Sequence, residues 1–140
     1  GQGGRGVRLT AVTPGTSAAP AKLAYQIRRR IPYVPTPLFT NGLVFSVADS
    51  GDVLCFKPDT GKIVWEAKLG EKFYSSPVCV AGRIYVASKT GTMFVFEAAD
   101  AYKLHAKIPL GGGCFATPAI ADNVMYIRTF SKLLSIGGKG

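Results

Sequence analysis

Between Thr36 and Ile136 one stretch of sequence is written three times, and this repetition constrains the fold more than any other property of the chain. Thr36-Pro37-Leu38 answers to Ser76-Pro77-Val78 and to Thr117-Pro118-Ala119. Asn41-Gly42-Leu43-Val44-Phe45-Ser46 answers to Ala81-Gly82-Arg83-Ile84-Tyr85-Val86 and to Asp122-Asn123-Val124-Met125-Tyr126-Ile127. Gly51-Asp52-Val53-Leu54-Cys55-Phe56 matches Gly91-Thr92-Met93-Phe94-Val95-Phe96, with Ser131-Lys132-Leu133-Leu134-Ser135-Ile136 as the last copy. The offset is 40 residues from Pro37 to Pro77 and 41 from Pro77 to Pro118. A fixed period of this size marks stacked supersecondary units, none of which can bury its apolar face alone.

Within each unit the apolar residues alternate instead of recurring at helical spacing. Turn chemistry (Asn41-Gly42, Ser50-Gly51-Asp52, Pro58-Asp59-Thr60-Gly61, Ala81-Gly82, Thr90-Gly91, Asp122-Asn123) arrives too often to leave room for a helix. The first unit reads as four strands, over residues 36–40, 43–48, 52–57 and 63–69. Four antiparallel strands in a period of about 40 to 45 residues is the arithmetic of a β-propeller blade. The expected fold is therefore all-β, with about three four-stranded antiparallel blades forming an incomplete ring. The division is a partial blade of outer strands at residues 5–35 (strands at 5–12 and 23–30), blades at 36–75 and 76–116, and an incomplete final blade at 117–137.

The segment Phe56-Lys57-Pro58-Asp59-Thr60-Gly61-Lys62-Ile63-Val64-Trp65 resembles the tryptophan-docking motif of the pyrroloquinoline-quinone-type (PQQ-like) propeller repeat family, written Ala-x-Asp-x-x-x-Gly-x-x-x-Trp. Asp59 and Gly61 supply the tight turn between the third and fourth strands, where glycine tolerates positive φ. Trp65 then lays a flat ring against the neighbouring blade. In the next unit Tyr102 answers to Gly61 and Ala106 to Trp65, so that blade has lost the motif, while Tyr25 stands 40 residues before Trp65. The resemblance covers residues 31–137 well and 5–30 loosely. It implies an extracytoplasmic, periplasmic setting, and a final blade that commonly borrows its outer strand from the N-terminus of the ring.

Closed propellers use about four to eight blades, more than this chain supplies. The expectation is a piece of a larger propeller, or a protomer that completes a ring with copies of itself. In the second case residues 23–30 would serve as a spare outer strand exchanged head to tail between two chains. No apolar run is long enough to span a bilayer, and residues 1–6 lack the apolar core of a signal peptide.

The formal net charge is +9, and before Asp49 the chain carries Arg5, Arg8, Lys22, Arg28, Arg29 and Arg30 with no acid. Arg28-Arg29-Arg30 could steer an anionic partner, or could be a solvated outer edge. No recognised nucleic-acid motif accompanies the charge, and nucleic acid is not an expected partner. Cys55, Cys79 and Cys114 form no Cys-x-x-Cys pair. Cys55 and Cys79 fall at apolar strand positions; Cys114 falls in a loop and is expected to be accessible.

The family's quinoprotein dehydrogenases imply a PQQ site with a calcium ion, a catalytic aspartate and two adjacent cysteines. This chain has no adjacent cysteines, and its acids (Asp49, Asp52, Asp59, Glu66, Glu71, Glu97, Asp100 and Asp122) fall in turns or on outer strands. His105 is the single histidine, on an outer strand, and Ser75-Ser76 lacks a strand-to-helix elbow. Neither catalysis nor a cofactor is expected of this chain. The favoured reading is a noncatalytic interaction module for a protein or other ligand; the alternative is a fragment of a PQQ-dependent oxidoreductase whose active site lies in other blades.

For a binding module the interblade loops at residues 30–36, 70–76 and 111–117 are the natural face, beside the hairpins at 48–51, 88–90 and 128–130. Each interblade loop carries an aromatic before its Thr/Ser-Pro step: Tyr33, then Phe73 and Tyr74, then Phe115. Such rings either meet a partner or wedge between blades. Arg128 completes the candidate ligand-facing set, because its corresponding positions are read as Ala48 and Ser88.

Overall fold

The computed structural model describes residues 8–137. Among them every regular element is a strand: β1 (Leu9–Thr13), β2 (Lys22–Ile27), β3 (Leu38–Thr40), β4 (Leu43–Val47), β5 (Asp52–Phe56), β6 (Ile63–Lys68), β7 (Val78–Val80), β8 (Arg83–Ala87), β9 (Thr92–Glu97), β10 (Leu104–Pro109), β11 (Ala119–Ala121), β12 (Val124–Arg128) and β13 (Leu133–Gly137). They form four antiparallel sheets with simple up-and-down order: β1-β2, β3-β4-β5-β6, β7-β8-β9-β10 and β11-β12-β13. Of the first expected strand, residues 5–7 lie outside the described residues.

Register is set by the inner hairpins. Both central residues of each turn have positive φ: Asn41 and Gly42, Ala81 and Gly82, Asp122 and Asn123. That is the geometry of a type I′ turn, whose twist matches the strands it joins. Phe45 thereby pairs with Leu38 and Cys55, and Tyr85 with Val78 and Val95 at the same places in the next sheet.

The cores lie between sheets. Phe45, Val47, Val53 and Cys55 of the first four-stranded sheet meet Ile84, Val86, Phe94 and Phe96 of the second, all buried. Met93, Val95 and Leu110 of the second meet Ile127 of the third. Ile27 of β2 packs with Leu54 and Phe56. Each buried Phe or Leu contributes about 1.5 to 3 kcal/mol, so neighbouring sheets hold one another together and no sheet is self-sufficient.

Polar clamps tie the layers at their inner edge. The Thr36 N–H donates to Ser76 Oγ at 2.9 Å, and the Ser76 N–H donates to Thr117 Oγ1 at 2.9 Å. Ser76 and Thr117, each before a proline, therefore receive the backbone of the preceding blade, which explains the recurrence of a hydroxyl there.

β2 pairs with β1 from Ile27 to Lys22 and carries Tyr25 onto the first four-stranded sheet, with the hydroxyl donating to Pro58 O at 2.8 Å. One expectation is corrected here. Cys114 is not accessible; it is buried between the second and third sheets, with Sγ 3.2 Å from Arg128 O. It stands where Phe73 stands one layer earlier, at a position that points inward.

Candidate interaction face

The interblade loops are laced to the neighbouring hairpins by backbone hydrogen bonds. Phe73 N–H donates to Asp49 O at 3.0 Å and Lys89 N–H to Lys72 O at 2.7 Å. The Cys114 N–H donates to Lys89 O at 3.3 Å and Phe130 N–H to Gly113 O at 2.9 Å. Because the pleat alternates, one residue of the second and third loops is driven between the sheets and the next is left outside.

Phe73 is the inward one. It is fully buried, edge-on to Phe94 with centroids 5.5 Å apart, so it is a wedge between blades and not a ligand-facing group. Tyr74 points out and meets Phe115 at 4.9 Å, and Phe115 meets Phe130 at 4.8 Å, both edge to face. Lys89 Nζ sits 4.0 Å above the Tyr74 ring and 5.0 Å from that of Phe115. The exposures run upward along this row, at 37% for Tyr74, 44% for Phe115 and 61% for Phe130. A cation held over rings adds about 0.5 to 1 kcal/mol at an exposed site, enough to order the row while leaving it accessible.

Lys89 and Phe130 were not singled out from the sequence. They occupy the hairpin position that Asp49 occupies in the first four-stranded sheet, so a comparison of hairpin tips across the three copies would have found them. At that first tip the acid behaves differently. The Tyr33 N–H donates to Asp49 Oδ2 at 2.6 Å and the Val34 N–H lies 3.3 Å from the same carboxylate. Tyr33 is exposed, but no ring contact joins it to the Tyr74 row among the described residues.

Arg128 needs a correction of register. Ala48 N–H, Ser88 N–H and Thr129 N–H make the same hairpin bond, to Asp52 O, Thr92 O and Lys132 O. Thr129 is thus the counterpart of Ala48 and Ser88, and Arg128 that of Val47 and Ala87, which are buried between sheets. The Arg128 side chain is exposed, with no hydrogen bond or ion pair among the described residues.

The docking motif lies elsewhere, on the outer strands. Trp65 is half-buried between Phe45, Phe96 and Tyr102, with ring centroids at 5.9, 6.3 and 5.2 Å. Gly61 (φ 69°) closes the turn with its N–H on Lys57 O at 2.9 Å, and any side chain there would run into the Tyr25 ring. Asp59 is exposed at the turn; counted back from Trp65, the motif's acid falls on Lys57, so Asp59 serves the turn alone. Burial, with the Asp59 charge as a second cause, pushes the Tyr25 phenol upward.

The arginine run is tied to neighbouring side chains, with a single carboxylate serving two of its three charges. Arg29 reaches Glu66 Oε1 at 2.7 Å, Arg30 pairs with Glu66 Oε2, and Arg28 donates to Gln26 Oε1 at 3.1 Å. His105 lies 3.5 Å from Glu97 on the exposed face of β10. Among the described residues no three His, Cys, Asp or Glu side chains gather to hold a metal ion, and the three cysteines are separate free thiols. The donor set that a calcium-bound quinone requires is not assembled by these residues.

No curated protein matches the sequence. Among solved structures, BamB from Moraxella catarrhalis superposes with a TM-score of 0.68 at 16% identity, covering 81% of this chain and 33% of its own. A europium-containing methanol dehydrogenase gives a TM-score of 0.54 at 16% identity, covering 68% of this chain and 21% of its own. The quinohemoprotein alcohol dehydrogenase ADHIIG from Pseudomonas putida HK5 gives 0.62 at 12% identity, covering 79% and 24%. At such identities the likeness shows the fold, and the chain spans a third or less of each of these proteins. The family model described as outer membrane protein assembly factor BamB matches residues 29–132. With its PQQ-like repeats and stacked propeller blades, the chain belongs to that family.

Proposed function

We propose that this chain is a noncatalytic propeller segment, its blades divided near residues 36, 76 and 117, that binds a protein partner in an extracytoplasmic compartment. The single observation that carries this reading is the exposed row Tyr74, Phe115 and Phe130 with Lys89 over it, since clustered aromatic groups with a cation are what a protein interface uses as anchors. The family description points to outer-membrane protein assembly as the setting. Phe73, buried against Phe94, precedes Tyr74 in the same loop, and Arg128 flanks the row in sequence.

A photo-crosslinking residue at Phe130, with one at Leu23 as control, tests the reading in cells. Recovery of one defined protein from position 130, lost on Phe115→Asp while the fold is kept, supports it. Equal labelling from both positions, or none from 130, removes it. The oxidoreductase alternative predicts instead a bound-quinone absorbance when PQQ and calcium are added.

A further inference from the structure

We propose that the segment docking on the row of Tyr74, Phe115 and Phe130 is an acidic stretch of polypeptide in which carboxylates flank one apolar side chain. The inference rests on the protein-binding reading and adds the chemistry of the partner.

The two loops and two hairpin tips that carry the row, at residues 70–76, 88–92, 111–117 and 128–132, hold four cations, Lys72, Lys89, Arg128 and Lys132, against one acid, Glu71. That acid is already engaged: it accepts the Thr90 hydroxyl and is held by the Lys107 charge. The four cations make no ion pair among the described residues. Lys72, Arg128 and Lys132 are exposed. Lys89 Nζ lies 4.0 Å above the Tyr74 ring, and the Lys72 carbonyl accepts the Lys89 N–H at 2.7 Å, which brings the two lysine backbones together at one end of the row. At the other end Phe130 stands midway between Arg128 and Lys132 in its hairpin.

The first layer of the same molecule supplies the contrast. Its loop and hairpin tip, at residues 30–36 and 48–52, hold Arg30, Asp49 and Asp52, an acidic balance. Arg30 pairs with Glu66, and the Asp49 carboxylate accepts the N–H groups of Tyr33 and Val34. The hairpin bond from Ala48 N–H to Asp52 O is nevertheless the same as that from Ser88 N–H to Thr92 O, so the fold does not require a lysine at position 89. Unpaired positive charge and the exposed ring row occur together in the second and third layers and are lost together in the first.

Complementary charge steers a partner to such a face and excludes like-charged ones, while the rings anchor what arrives. Phe115 and Phe130 are the more exposed rings and are open to an apolar side chain, with the cations placed for carboxylates on either side. Neighbouring centroids 4.9 and 4.8 Å apart make a row for one or two side chains, too small for a lipid surface. Interplanar angles of 64° and 83° leave no parallel platform for stacked bases.

Fluorescence anisotropy with fluorescein-labelled Glu-Asp-Phe-Asp-Glu tests the proposal, beside Gln-Asn-Phe-Asn-Gln and Glu-Asp-Ala-Asp-Glu. The first peptide is expected to saturate, with Kd rising about tenfold between about 50 and about 500 mM NaCl, and the other two to bind about tenfold more weakly. Lys132→Glu, at an exposed position, and Lys89→Met, which keeps a flexible chain over the rings, together should raise Kd about tenfold. Lys22→Glu on β2, the same charge reversal away from the row, should leave it unchanged. A neutral peptide that binds as well as the acidic one, or a Kd indifferent to Lys89→Met and Lys132→Glu, overturns the proposal. Binding of phosphatidylglycerol vesicles or of oligothymidylate that is lost in Lys132→Glu, with none of the acidic peptide, overturns it in favour of a membrane or a nucleic acid. The assay is separate from crosslinking at position 130: a protein recovered there equally from Lys89→Met and Lys132→Glu leaves the protein-binding reading standing and removes the acidic partner.

Discussion

The indole Nε1–H of Trp65 donates to the carbonyl oxygen of Ala99 across the layer between the two four-stranded sheets, at 2.9 Å. This bond links an outer strand to the turn before the next outer strand, and the ring closes over Phe45 and Phe96 beneath it. Trp65→Ala should cost about 3 to 5 kcal/mol, the usual range for truncating a packed aromatic. Trp65→Phe, which keeps most of the packing and loses the bond, should lose about 1 kcal/mol from that bond, plus the packing of the second ring. Urea unfolding of both variants checks this; an unchanged midpoint for Trp65→Ala would contradict the docking role.

Ala81 is the one residue of the three inner hairpin turns at its position without a polar side chain suited to left-handed backbone. Its φ is 48°, against 50° for Asn41 and 49° for Asp122. An alanine there carries strain that asparagine relieves through its tolerance of that region. Ala81→Asn should therefore stabilise the chain by about 0.5 to 1 kcal/mol. A thermal midpoint below that of the parent would show that the turn is not of this type.

Glu71 links the 70–76 loop to the next hairpin. Burial alone would raise its carboxyl; hydrogen bonds from Ser88, Thr90 and Thr92, and the Lys107 charge, outweigh burial and hold it below the ordinary carboxylate value of 4.5. A carboxyl lowered in the folded state adds stability above its unfolded value and loses it as pH falls through the folded one. Glu71→Gln should thus melt below the parent at pH 7, and the gap should close as the pH drops beneath 4.5. A gap that stays constant with pH would mean that the carboxylate charge contributes nothing.

Thiol chemistry should separate the three cysteines. Burial pushes the Cys55 thiol up to about 11, Asp100 adding to it against the Lys57 charge. Burial also raises Cys114, more than the hydrogen bond to Ala116 lowers it. Cys79 is half-buried. With a chromogenic disulfide at pH 8, one thiol per folded chain should react, and Cys79→Ser should abolish that signal. The other two should appear on unfolding, because the thiolate is the attacking species. Fast labelling of two or more thiols in the native state would refute this.

The repeated blade was legible from residues alone. Alternating apolar positions at Val44 to Val47 and Ile84 to Ala87, with paired turn residues at Asn41-Gly42 and Ala81-Gly82, permit no other regular element, and the period makes each unit pack like the last. The sequence also placed the loops that form the exposed face. It could not choose between Phe73 and Tyr74, because adjacent loop residues point opposite ways and no period runs through the loop to say which faces in. The backbone bond from Phe73 to Asp49 decides that, and it sends Phe73 into the core and Tyr74 outward. For the same reason Cys114 is buried although it lies in a loop. Nor does any local pattern reveal the cavity lined by Tyr85, Met93, Met125 and Ile136: a void exists only relative to the neighbouring sheet. Strand identity is set by local stereochemistry repeated along the chain, whereas burial, cavities and the juxtaposition of Lys89 with Tyr74 arise when one blade meets the next.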